Sequence, residues 1–287
     1  MNLSGIHHVT VETADIERCH DFYHGILGMT LVKKPINFNN TTSHRLSFGD
    51  AKGSPGTLLN FISAEEQDYR EGTNGIYAYS LRVPTDRSLY YFKLRFDEHS
   101  IKYDGVIQLN GRHALPFYDM DDRLVYLVSD ENNIGIPYGT PHIDSPVDSI
   151  HQIVGLGPVL LRVEHTLPTA SVLKQLLGMD RTTEYKHQSS AQLVQAFSMA
   201  EGGNGGEVHI LQSSGLTGQS GVHHAAFRAA DEDTLKQVLT VLESANVPNS
   251  GIVDDNYFKS LYFNDLSGIL FGIATDSPGI DGHAESL

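Results

Sequence analysis

The feature that most restricts what this chain can become is an internal repeat. A strand-forming run followed by a helix-start signal occurs four times: HVTVETAD from His8, YSLRVPTD from Tyr79, PVLLRVEH from Pro158 and HAAFRAAD from His224. Such self-similarity marks supersecondary units that bury their apolar faces only against one another. After each start comes a segment with apolar residues at helical spacing, then three alternating or β-rich runs. Two copies close the helical segment alike, as Leu27-Gly28-Met29 and Leu177-Gly178-Met179, where glycine suits the left-handed position past a helix end. The expected fold is α+β, built of four βαβββ modules.

The runs place the elements. In the first copy they span Leu31 to Phe38, His44 to Phe48 and Thr57 to Ile62, with a turn at Gly53 to Gly56. In the fourth they span Gly251 to Asp254, Phe258 to Phe263 and Ile269 to Thr275, with a turn at Asp265 to Gly268. The second and third copies end on Leu124 to Val128 and Glu207 to Leu211. Gly202 to Gly206 reads as a flexible hairpin tip; no helix follows it, which argues against a phosphate-binding loop. The modules are taken as residues 1–70, 71–130, 156–215 and 216–287. Residues 131–155, with Pro137, Gly139, Pro141 and Pro146, read as a linker, and the stretch after Asp276 as a tail.

Strand alternation turns these runs into faces, because residues two apart point the same way. On the first strand His8, Thr10 and Glu12 share a face, opposite His7, Val9 and Val11. The apolar set should meet the helices, taking His7 with it as a packing or supporting residue, and His223 likewise in the fourth copy. The fourth copy repeats the arrangement, with His224, Ala226 and Arg228 opposite His223, Ala225 and Phe227. On the closing strands Asn60 and Gly272 face the same way as His8 and His224. The corresponding positions are Tyr79 and Tyr126 in the second copy, and Pro158 and His209 in the third. Modules 1 and 4 alone offer two histidines at equivalent starts.

The 287 residues carry 20 Lys+Arg against 35 Asp+Glu, a net charge of −15, which disfavours nucleic acid and anionic membranes as partners. No apolar run approaches the ~20 residues that span a bilayer, and no basic-then-apolar leader opens the chain. A cytoplasmic protein acting on small molecules is expected. Cys19 is the single cysteine and excludes an internal disulfide. It lies between Arg18 and His20 on a helix and reads as an inert, partly buried thiol. His20 and His24, four apart on that helix, lack the glutamate of a metalloprotease pattern and read as an exposed face.

Several stretches together resemble the vicinal oxygen chelate superfamily, which includes glyoxalase I and the type I extradiol dioxygenases. They are Gly5-Ile6-His7-His8-Val9-Thr10, Leu31-Val32-Lys33-Lys34 with Asn37-Phe38, Gly53-Ser54-Pro55-Gly56-Thr57, Gly221-Val222-His223-His224, and Tyr257 to Phe263 continuing to Ala274-Thr275-Asp276. Within the superfamily the chain is most similar to bacterial ring-cleaving or hydroquinone-type dioxygenases. The resemblance implies that paired modules curl into two barrel-like mixed sheets with helices outside, modules 1 and 4 sharing one cup and modules 2 and 3 the other. It also implies that a cup holds Fe(II) or Mn(II) through two histidines and a glutamate, with open positions for a chelating substrate and dioxygen. His8 and His224 fall on the histidine positions and Tyr262 on a tyrosine that orients or deprotonates a phenolic substrate. The glutamate position holds Gly272. Asn60 offers a neutral oxygen nearby, and a substrate carboxylate, hydroxide or chloride could fill the place of the missing ligand.

The leading expectation is therefore a metal-dependent extradiol dioxygenase acting on a catechol or hydroquinone, with a small aromatic substrate and dioxygen as partners and room for a homodimer. Gly272 equally suits a second expectation, a binding protein that keeps the cup without metal or catalysis. A glyoxalase-type lyase or isomerase comes third.

Overall fold

The computed structural model describes residues 3–33, 45–64, 70, 72–188, 190, 192–218, 220–255 and 257–278. The first unit supplies β1 (Leu3–Thr13), a short helix α1 (Ile16–His20) that widens into a π turn over Asp21–Ile26, then β2 (Thr30–Lys33), β3 (Arg45–Gly49) and β4 (Leu58–Ser63). The second supplies β5 (Gly75–Val83), α2 (Asp86–Glu98), β6 (Ile107–Leu109), β7 (Arg112–Tyr118) and β8 (Leu124–Ser129). The third supplies β9 (Gly155–Val163), α3 (Thr166–Ser171) with a π turn at Val172–Leu176, β10 (Asp180–Lys186), β11 (Leu193–Ser198) and β12 (Glu207–Gln212). The fourth supplies β13 (Val222–Ala229), α4 (Glu232–Ser244), β14 (Asn249–Asp254), β15 (Phe258–Asn264) and β16 (Leu270–Pro278).

These strands form two eight-stranded mixed sheets, ordered β14-β15-β16-β13-β1-β4-β3-β2 and β10-β11-β12-β9-β5-β8-β7-β6. The first and fourth units join through the antiparallel β1–β13 pair, and the second and third through β5–β9. Within each unit the opening and closing strands pair in parallel, as β1 with β4 and β13 with β16. One face of each sheet meets the helices. Val9, Val11, Leu59 and Phe61 pack there with Cys19, Phe22 and Tyr23 in a single apolar core that continues through the helix-facing residues of the other three units. Burying a side chain of that kind stabilises the fold by roughly 1.5–3 kcal/mol. The opposite faces line two cups.

The helix ends follow the glycines. Gly28 and Gly178 have φ of +72° and +67°, the left-handed region that glycine enters without strain. A Cβ at Gly28 would also come within 2.5 Å of Val147 Cγ2, so the position is closed to other residues by packing as well.

Gly202 to Gly206 departs from expectation. It ends in a short 3-10 turn, Asn204–Gly206, which is buried rather than a flexible tip. Asn204 Nδ2 donates to Asp130 Oδ1 (2.7 Å) and to the Ser129 carbonyl (3.1 Å), while the glycines pack on Ile136 without side chains to obstruct it. Residues 130–154 contain no helix or strand. The segment is nevertheless pinned: the buried Arg82 guanidinium holds Asp130 and the carbonyls of Ile136 and Pro137. The first unit's second strand ends at Lys33 and its third begins at Arg45; the expected continuation to Phe38, His44 and the tail beyond 278 lie outside the described residues. No helix among the described residues is long and apolar enough to cross a membrane.

Candidate functional site

At the centre of the first sheet Thr10 lies opposite His224, and His8 opposite Ala226. Both strands are irregular where the histidines stand. Two steps along β1 from Ile6 to His8 answer one step along β13, so His7 is an extra residue. Two steps along β13 from Val222 to His224 answer one step along β1, so His223 is the matching extra residue. Such a β-bulge breaks alternation and re-aims side chains.

His7 and His223 therefore do not turn to the helices, as strict alternation requires. His7 Nδ1 lies 2.8 Å from His8 Nδ1, and His223 Nδ1 lies 2.7 Å from His224 Nδ1. Between the two pairs, His8 Nε2 and His224 Nε2 are 3.1 Å apart.

The chain of imidazoles has an anchored end. His7 Nε2 donates to the Thr275 carbonyl at 3.2 Å, which leaves its Nδ1 as acceptor for the Nδ1–H of His8. The Nε2 lone pair of His8 is thus directed at His224. His224 meets it in one of two tautomers: with a proton on Nε2 it donates to His8 at 3.1 Å, and with its Nδ1–H donating to His223 both Nε2 lone pairs face each other, the arrangement that suits a cation between them.

Burial keeps His7, His8 and His224 neutral. His7 is lowered to about 4 and His224 to about 3, both chiefly by desolvation; His8 is pushed well below the usual histidine value by burial, then by His7, His224 and Arg45. Neutral imidazole is the form that ligates metals.

Adjacent ligands on a six-coordinate ion with metal–nitrogen bonds of about 2.1 Å lie about 3.0 Å apart. His8 and His224 fit two such positions. No third protein ligand accompanies them: among the described residues no three His, Cys, Asp or Glu side chains converge. Gly272 stands beside Ala226 on β13 and opposite Tyr262 on β15. A Cβ added there would lie 3.0 Å from Ala226 Cβ and 3.1 and 3.2 Å from Cε1 and Cδ1 of Tyr262. The phenol ring covers the spot from which a carboxylate would extend.

Tyr262 also packs edge-on against His224, with ring centroids 5.2 Å apart, and its hydroxyl reaches Asp255 Oδ2 at 3.4 Å. Ser260 Oγ donates to the same oxygen at 3.2 Å. Burial raises the Tyr262 phenol, so it stays protonated at neutral pH. Phe258 covers both His7 and His8, at centroid distances of 4.8 and 5.4 Å. Asn60 pairs with Thr10 across β1–β4 and with Ser47 across β3–β4, and is buried on the cup face.

The second cup is built differently. Tyr79 turns away from it, into the apolar core, where its hydroxyl meets that of Tyr23. The cap of α2 is Thr85 rather than Asp86, so this copy aligns one residue earlier than its sequence suggests, and a one-residue slip reverses every side chain. Ala78 takes the His8-equivalent place. His209 lies in the cup with its Nε2 donating to Glu207 (2.8 Å) and its Nδ1 accepting from the Tyr185 hydroxyl (2.9 Å). Arg112 completes an ion pair with Glu207. Tyr126, Leu160 and Val128 fill this cup with their own small apolar cluster.

Elsewhere, Cys19 is fully buried and its thiol is pushed up by burial, as befits an inert residue. His20 and His24 are half-buried rather than exposed, because the π turn draws His24 Nδ1 onto the Met29 carbonyl at 2.9 Å. Alternation gave His7 and His223 the wrong face, though a supporting role was among their expected ones, and it missed Asp255 and Arg45. For the first two a signal existed in the doubling itself, since His7-His8 and His223-His224 recur in the same copies.

A family model described as the glyoxalase/bleomycin resistance protein/dioxygenase superfamily matches residues 155–273. The chain is 37% identical over 296 residues to the provisionally named ring-cleaving dioxygenase MhqA of Bacillus subtilis (strain 168), covering 100% of this chain and 92% of that protein. It is 24% identical over 286 residues to a chlorohydroquinone/hydroquinone 1,2-dioxygenase of Sphingobium indicum, covering 94% and 84%. The crystal structure of a provisionally assigned dioxygenase from Bacillus subtilis subsp. subtilis str. 168 superposes with a TM-score of 0.83 at 27% identity, over 97% of this chain and 87% of that one.

Proposed function

Because the chain belongs to the glyoxalase/bleomycin resistance protein/dioxygenase superfamily, we propose that it is a ring-cleaving dioxygenase of the extradiol type, acting on a hydroquinone or catechol and using Fe(II) or Mn(II). The observation that carries this reading is the 3.1 Å approach of His8 Nε2 and His224 Nε2, each backed by a second histidine. These two residues would hold the metal. When bound, it would polarise substrate oxygens and provide the place where dioxygen reacts.

The protein's own residues perform the remaining tasks. His7 and His223 fix the ring orientation of the two ligands. The protonated Tyr262 donates a hydrogen bond to a substrate oxygen, or takes up the substrate's phenolic proton as its own passes to Asp255 Oδ2, 3.4 Å away. Phe258 and the Tyr262 ring keep water from one side of the histidine pair.

Anaerobic loading with Fe(II) or Mn(II), followed by metal analysis and oxygen uptake with hydroquinone and catechol, tests the reading. Near-stoichiometric metal with oxygen consumption supports it; metal far below one equivalent defeats it. The Tyr262 ring over Gly272 favours a second reading, a small-molecule binding protein without the metal. Gly272→Glu separates them. Metal uptake and turnover confined to the variant would identify the native chain as the binding protein.

A further inference from the structure

The cup of the first sheet holds more hydrogen-bond donors than its own side chains satisfy. Asn60 is 3% exposed and its amide nitrogen, Nδ2, has no partner; Thr10, 2% exposed and directly beside it, has an unpartnered hydroxyl. An unsatisfied buried donor normally costs about 1–3 kcal/mol, so two adjoining ones call for an explanation.

Arg45 belongs to the same face. It lies on β3 two residues from Ser47, which pairs with Asn60, so its side chain projects alongside the amide at a diagonal position that a long side chain reaches. Among the described residues it forms no ion pair or hydrogen bond, and its charge is felt at His8, His224 and Tyr262. Asp255, whose Oδ2 accepts from Ser260 and Tyr262, forms no ion pair with Arg45. Where the superfamily resemblance implies a carboxylate in this cup, the chain has Gly272. A guanidinium, an amide N–H and a hydroxyl thus share this face, and among the described residues no carboxylate is hydrogen-bonded to any of them.

We infer that this cup recognises an aromatic acid, whose carboxylate is received by Arg45 and Asn60 while its ring lies toward the His8–His224 pair. Thr10 would supply a further hydrogen bond to the ligand. The inference rests on the proposed reading insofar as it takes an aromatic ring as ligand. It narrows that class from neutral hydroquinones to carboxylated ones. Arginine suits the role, because its fork of N–H groups matches both oxygens of a carboxylate.

Calorimetric titration of the metal-free, oxygen-free protein with gentisate and with hydroquinone tests this, since the two rings differ only in the carboxylate. Gentisate is expected to bind at least about tenfold more tightly. Arg45→Met should remove that preference, Arg45→Lys should restore part of it, and Asn60→Leu should weaken gentisate alone. Equal binding of the two rings, no binding of gentisate, or a preference that survives in a folded Arg45→Met protein would overturn the inference. Thermal melts of each variant establish that it is folded.

Oxygen uptake is read separately. A gentisate preference without turnover would leave this inference standing and remove the dioxygenase reading. Turnover of hydroquinone without the preference would do the reverse.

Discussion

The chemistry of the first cup depends on single histidines and what each one touches. His7 donates to a backbone carbonyl and accepts from His8, so it sets which nitrogen of His8 carries a lone pair toward the cup. His7→Ala should therefore lower divalent-metal affinity by about tenfold to a hundredfold, as loss of such outer partners does. Competition with a chelating dye reads this out, and unchanged affinity would reduce His7 to packing. The same residues make stability depend on pH. Histidine in the unfolded chain takes up a proton near 6.5, whereas His7, His8 and His224 resist it when folded, with His7 at about 4 and His224 at about 3.

Below about pH 6.5 the unfolded state thus binds more protons, so stability is full above that pH and falls as the pH drops toward about 4. Each ring contributes at most about 1.4 kcal/mol per pH unit. Urea midpoints measured from about pH 7 to pH 5 should fall steeply in metal-free protein; a flat profile would show that the rings are not buried neutral.

At the scale of elements, the units differ in how legibly they announce themselves. α4 begins at an aspartate cap, with Asp231 Oδ1 accepting from Thr234 N at 2.7 Å, and the repeat HAAFRAAD ends on that residue. Asp231→Ala should cost about 1 kcal/mol, measured by urea unfolding, as the loss of a cap usually does. An unchanged midpoint would mean that α4 is held by packing alone. The second unit is less transparent. Its Pro84-Thr85-Asp86 contains two plausible caps, and choosing Asp86 over Thr85 reverses the face assigned to Tyr79.

β1 and β13 carry a different ambiguity. Each has an unbroken alternating pattern in sequence, yet each bulges at its first histidine, because the bulge arises where two distant strands meet and not within either one. Gly202 to Gly206 fails for a related reason: a glycine run reads as a loose tip unless one knows that Ile136 and Asp130 are waiting to bury it.

For the molecule as a whole, the sheets tie the ends of the chain together. β1 from the first unit pairs with β13 from the fourth, and β5 with β9, so neither sheet is completed by one half of the sequence. Fragments 1–150 and 151–287 expressed apart should each expose a long unpaired central strand and aggregate, whereas co-expression should yield a soluble complex. Gel filtration of the separate and joint preparations decides this, and soluble separate fragments would contradict it. Many of the contacts are remote in sequence, which also implies slow folding relative to a helical bundle of the same size.

The sequence by itself determined the unit and its count, the helix-stop glycines and the apolar faces that form the core, because each follows from a local period or a backbone restriction. It also singled out His8 and His224 as equivalent places, with Gly272 on the same face. Only the tertiary structure decided that His7 and His223 turn to back His8 and His224, that the ring of Tyr262 covers Gly272, and that Arg45, Asn60 and Thr10 share the face on which Asn60 Nδ2 and the Thr10 hydroxyl have no partner. Those are consequences of register between strands far apart in the chain, and a one-residue change in register leaves local patterns intact while exchanging the two faces of a sheet.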